Sequence, residues 1–138
     1  MKSDHRHCTS TDKTADRGSH EFTFAVYPHK GDARGSEVIK QGYSLNCPVK
    51  IAKVDTFDSV AVTDNEAVII ETVMSDGKGN VVLRLYESKG EKCETSLYAG
   101  FSYNAVKNVD FMLENPCDAD IKKLSFTPFE IKTLLFER

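Results

Sequence analysis

The chain has 138 residues, of which 40% are hydrophobic and 28% charged, and its formal net charge is −3. That length predicts one domain able to bury a core without disulfide or metal staples. The weakly acidic, interspersed charge excludes electrostatic capture of nucleic acid or of an anionic membrane, and the longest apolar runs, such as 67–70, fall far short of the about 20 residues a membrane helix needs.

Residues 1–19 carry one aliphatic side chain after the initial Met, Ala15, among Ser, Thr, Lys, Asp and His. Such a composition cannot offset its own ordering entropy, so it predicts a disordered tail or linker ahead of a folded unit over 20–138. His5-Arg6-His7-Cys8 lies in it. His and Cys are ligand types, but a polar tail holds no ligand geometry, and the run predicts no metal site. No apolar leader follows the initial Met, so a cytoplasmic location is expected.

From His20 the apolar period becomes two. Phe22, Phe24 and Val26 fall on one face of a predicted strand, with Glu21, Thr23, Ala25 and Tyr27 on the other. Pro28 ends it, because proline cannot donate to a ladder. Residues 36–46 form the one helical candidate, with Ser36 as N-cap and Val38, Ile39 and Tyr43 sharing a face.

After Pro48 the chain reads as short strands: 49–54, 60–63, 67–74, 81–87, 93–101, 106–113, 121–126 and 130–137. Asp76-Gly77-Lys78-Gly79-Asn80 is a hairpin signal, Ser88-Lys89-Gly90-Glu91 is a turn, and Pro128 splits the last pair. Short strands with turn chemistry between them predict an all-β fold, an antiparallel β-sandwich with one short helix.

The four cysteines, Cys8, Cys47, Cys93 and Cys117, are scattered and show no CxxC spacing, so they read as free thiols. Glu71, Glu87, Glu94 and Asp110 could in principle supply the carboxylate pair of a glycosidase, but acids on alternating strands ordinarily mark the solvent face. Arg84 interrupts an apolar run and shares a face with Val82 and Tyr86. An arginine there either pairs across an interface or lies exposed on the sheet. His20 and His29 flank the first predicted strand; each reads as a strand-end histidine or as a contact to a sugar or a neighbouring domain. There is no GxSxG, HExxH or phosphate-binding Gly loop. The aromatics are five Tyr and eight Phe with no Trp, which leaves Tyr43, Tyr98 and Tyr103 as the available platforms for a sugar ring.

Three runs taken in order, HEFTFAVYPHKGD, NVVLRLYE and FTPFEIKTLLF, resemble the C-terminal part of glycoside hydrolase family 38, the α-mannosidases. The stretch ending Tyr43-Ser44-Leu45-Asn46 looks like the family's segment between the first two, and the likeness runs from Asp16 to the end. It departs from the family in residues 1–14, where a less polar lead-in is expected.

The resemblance implies a non-catalytic β-sandwich portion of a zinc-dependent retaining α-mannosidase. In that family the zinc ion and an aspartate nucleophile sit in an N-terminal α/β barrel, followed by a three-helix segment and β-sandwich domains. No stretch here matches the family's His-x-Asp or His-His-Asp zinc patterns. The expectation is therefore no catalytic residue, no metal ligand and no cofactor in this chain, with zinc held by the catalytic domain of the parent enzyme. That domain is the expected partner, with mannose-containing glycans as a possible ligand class, and the isolated chain is expected to be inactive. By position, His20 and Arg84 are the residues expected to face the catalytic domain or its cleft. The competing expectation is a free-standing carbohydrate-binding or protein-interaction module.

Overall fold

The computed structural model describes residues 17–47, 53 and 59–138. The fold is organised by the alternation in Val81–Glu87. This strand, β3, pairs antiparallel on one side with β2 (Val68–Ser75) and on the other with the last strand, β9 (Ile131–Glu137). Beyond β9 lie β6 (Ala105–Val109) and the two-residue β7 (Cys117–Asp118), giving a five-stranded sheet in the order β2-β3-β9-β6-β7. The β2–β3 hairpin closes over 76–80, where Gly77 and Gly79 take φ +80 and +98 and Asp76 accepts hydrogen bonds from the amides of Lys78 and Asn80.

One face of this sheet is the core face. Its cross-strand rows are Val81 with Phe136 and Val106, and Leu83 with Leu134. Two short antiparallel ladders cover it: β1 (Ala61–Thr63) with β5 (Leu97–Ala99), and β4 (Cys93–Thr95) with β8 (Leu124–Phe126). Leu97, Leu124 and Phe126 come down onto Val68, Leu83, Leu85, Leu134, Phe136 and Val106, all buried. Each such side chain contributes about 1.5–3 kcal/mol relative to exposure. The result is the expected antiparallel β-sandwich with one short helix, α1 (Val38–Asn46).

The expected strand over 93–101 is divided at Ser96, and its halves enter different ladders. Asp64, in the turn after β1, holds the break. Its carboxylate accepts the Ser96 amide at 2.8 Å, the Ser96 hydroxyl at 2.5 Å and the Thr95 hydroxyl at 2.7 Å. The Ser96 and Thr95 hydrogen bonds lower its pKa to about 2. Three charge-assisted bonds to consecutive residues fix a bend that hydrophobic alternation does not encode.

The β1–β5 ladder also leaves no room at its end. Gly100 donates to Val60 O at 2.9 Å, and a Cβ on Gly100 would stand 2.2 Å from the Ser59 carbonyl oxygen. Backbone cannot swing aside as a side-chain tip can. Gly100→Ala is expected to cost about 2 kcal/mol, read as a lower urea midpoint, with faster amide exchange at 97–100.

Three sequence expectations are corrected. The run 21–27 forms no strand in any ladder made by the described residues, and Phe22, Phe24 and Val26 are 78–82% exposed. Alternation makes a ribbon amphipathic, but a strand also needs backbone partners, and a lone ribbon is not stable. The residues 106–113 stop being a strand at Val109, because Asp110 gathers the amides of Met112 and Glu114 into a loop. Glu87 is not on the solvent face but fully buried among the core residues. The expected strand over 49–54 lies outside the described residues except for Lys53, as do His5, His7 and Cys8. Cys47, Cys93 and Cys117 are free thiols, as expected.

Candidate interface on the outer face of the sheet

The second face of the five-stranded sheet has no ladder packed on it among the described residues. Its central row runs Thr72, Arg84, Thr133 and Val109 across four strands, and the next row runs Ile69, Tyr86 and Ile131. Arg84 is on this face because alternation on β3 sends Leu83 and Leu85 inward. Its place beside Val82 and Tyr86 is the one the sequence predicts.

Helix α1 covers one end of the face. The Tyr43 hydroxyl donates to a Glu71 carboxylate oxygen and lies 3.1 Å from the Tyr86 hydroxyl. Glu71 is available because β2 carries a bulge between Ile70 and Thr72, which lifts Glu71 out of register with β3. Burial, then the hydrogen bonds to Glu71 and Tyr86, push the Tyr43 phenol well above its ordinary range, so it remains a donor. Tyr43→Phe is expected to remove about 1 kcal/mol and to raise amide exchange in 41–46 without altering exchange in β3. Ser36 acts near the helix start as expected, accepting the Val38 amide at 3.3 Å, although the cap position itself falls on Glu37.

The middle of the face is occupied by Arg84 and the loop 110–116. The guanidinium lies 3.9 Å over the Phe111 ring, and Nη2 donates to the Phe111 carbonyl at 3.1 Å. Arg84 Nε is buried and has no acceptor among the described residues. Around it Glu71, Thr72, Tyr86, Phe111 and Ile131 form a cleft of about 220 Å³. Phe111 and Ile131, which line this cleft with Arg84, stand 67% and 68% exposed, and Met112, next to Phe111 in the loop, 74%.

His20, the other expected interface residue, lies in the exposed stretch ahead of the 3₁₀ turn Ala33–Gly35. The structure places it in the lead segment and Arg84 in the central hairpin; no ladder joins the two. Phe111 and Met112 escape a reading of the sequence that extends a strand through them. The available signal is Asp110 with Asn115-Pro116, turn formers on both sides of the two apolar residues.

No group of three or more His, Cys, Asp or Glu side chains able to hold a metal occurs among the described residues, so they do not fit a zinc site. No helix among them is long and apolar enough to cross a membrane.

Residues 67–134 match the model of the glycosyl hydrolases family 38 C-terminal beta sandwich domain. The chain belongs to that family's C-terminal β region. It is 34% identical over 143 positions to alpha-mannosidase G of Dictyostelium discoideum, an alignment covering 92% of this chain and 13% of the relative. Against human alpha-mannosidase 2C1 it is 35% identical over 141 positions, 90% of this chain and 13% of the relative. With the alpha-mannosidase of Saccharomyces cerevisiae it shares 29% identity over 119 positions, 72% of this chain and 11% of the relative. The family 38 chain thus spans about an eighth of the length of the first two relatives. Within the matched stretch fall β2, β3, β6 and the whole Arg84–Phe111 arrangement.

Proposed function

We propose that this chain is the non-catalytic C-terminal β-sandwich of an α-mannosidase, packing against the catalytic part of the parent enzyme. In this reading the zinc-dependent, retaining hydrolysis belongs to parts of that enzyme outside these 138 residues. The observation that carries it is the likeness to α-mannosidases over 90% or more of the chain, combined with a sheet whose outer face keeps large apolar side chains in solvent. Monomers seldom expose such groups together without a partner surface.

The reading is tested by incubating the purified chain with p-nitrophenyl α-mannoside, with and without zinc or cobalt. No turnover above the uncatalysed rate is expected under either condition, and metal-dependent release of nitrophenol would overturn it. Calorimetric titration with mannose oligosaccharides separates it from a free-standing lectin-like module. The scaffold reading expects no saturable heat.

A further inference from the structure

We propose that the Arg84–Phe111–Met112–Ile131 face is the surface that docks the rest of the parent polypeptide, and that it receives an apolar side chain flanked by a carboxylate. The inference rests on the scaffold reading above and names the surface through which it acts.

The loop that presents Phe111 and Met112 is braced. Asp110 accepts the Met112 amide at 2.9 Å, the Glu114 amide at 2.8 Å and the Asn115 side-chain amide at 2.7 Å. Leu113 and Asn115 take φ +66 and +53, conformations that L residues adopt at a cost. Bracing lowers the entropy lost when such groups are buried by a second surface.

The charge at the centre points to an anionic group on that surface. Arg84 gives one donor to the Phe111 carbonyl and its Nε is buried without an acceptor among the described residues, so the Nη groups of this half-buried side chain are the donors a second surface could meet. Its fork geometry suits a carboxylate, and stacking on Phe111 fixes the plane in which that carboxylate would be met. Another pair of exposed apolar residues, Val62 and Tyr98 on the β1–β5 ladder, carries no such cation in its cross-strand row. The occupant is sought in the parent polypeptide because this chain spans only 13% of the length of its α-mannosidase relatives.

The test measures binding of the whole chain to Dictyostelium alpha-mannosidase G from which the aligned segment has been deleted. Wild type, Met112→Ser, Arg84→Ala and the control Tyr98→Ser are compared by interferometry, with thermal melts of each. Saturable binding of wild type is expected, weakened at least tenfold in Met112→Ser and in Arg84→Ala, unchanged in Tyr98→Ser, and reduced by added salt. Met112 is 74% exposed, so Met112→Ser should melt with wild type and a loss of binding cannot be ascribed to unfolding. Wild-type binding that Met112→Ser and Arg84→Ala leave intact would overturn the choice of face while the scaffold reading stands. No binding by wild type would overturn the scaffold reading itself. Self-association of wild type in sedimentation, lost in Met112→Ser, would replace the parent polypeptide by a second copy and overturn the inference.

Discussion

A chain carrying Glu87→Ala should lose about 3 kcal/mol in a urea titration, because several backbone donors lose a buried charged acceptor at once. Glu87 is fully buried at the end of β3, and its carboxylate accepts the amides of Lys89 at 2.7 Å, Gly90 at 2.8 Å and Phe129 at 2.9 Å. It therefore ties the 88–91 turn to the 127–130 turn, which are far apart in sequence. The Phe129 backbone is left-handed, φ +59, and its ring tip would stand 2.5 Å from a Cβ on Gly90, so the two turns interlock. Losing the carboxylate leaves this joint without its central acceptor.

The same residue sets an acid limit. Burial raises the Glu87 pKa, but the amide donors of Phe129, Lys89, Gly90 and Glu91 lower it by more, and the net position is below the ordinary 4.5. The folded value lies beneath the unfolded one, so the unfolded chain binds more protons in this window. The stabilisation is then complete above about 4.5 and disappears as pH falls through the folded value. The stability difference between wild type and Glu87→Gln should accordingly shrink on acidification below that range, as measured by urea titrations at a series of pH values. A constant difference would show that the charge on Glu87 is immaterial.

Phe136→Ala is the second large effect, expected at about 3–5 kcal/mol, or roughly 8–16 °C in thermal midpoint for a domain of this size. Phe136 is fully buried and lies in the row Val81–Phe136–Val106 that joins three strands. Its ring meets those of Phe101 and Tyr103 edge-on, each at 5.2 Å. Such pairs contribute about 0.5–1.5 kcal/mol beyond area burial. Truncation would leave a cavity at the closing end of the sheet, where Asn104 also donates to Glu137 O at 2.7 Å. Phe136→Leu should recover more than half of the loss. If both variants melt with wild type, the aromatic cluster does not hold the last strand.

The central hairpin and last strand are legible in the sequence because their alternation and their packing agree. Val81, Leu83 and Leu85 in one strand and Leu134 and Phe136 in the other fall inward at every second position, and the turns at either end of Val81–Glu87 carry glycine where φ is positive. The face of Arg84 follows from the same parity. The segment 21–27 has the same parity but no ladder partner among the described residues, and periodicity reports sidedness rather than pairing. Ser96 and Asp110 are illegible for another reason. Each break is made by an acidic side chain, Asp64 accepting the Ser96 amide and the Ser96 and Thr95 hydroxyls from some 32 residues away, and Asp110 accepting the Met112 and Glu114 amides within four residues. Hydrophobic alternation registers neither, although turn formers at Asp110 and Asn115-Pro116 give the second a local signal. Phe111 and Met112 join the candidate interface for that reason only through the folded loop.

The bulge beside Glu71 bears on how this protein behaves in concentrated solution. β2 is the terminal strand of the five-stranded sheet, and a straight, apolar terminal strand invites a neighbouring molecule to extend the ladder into a fibril. Here the irregularity interrupts the even spacing of peptide groups at Ile70–Thr72, and an exposed carboxylate stands at that point. Molecules meeting along this border would bring like charges together over mismatched peptide groups, so the kink that anchors the Tyr43 phenol also guards the sheet against templated polymerisation.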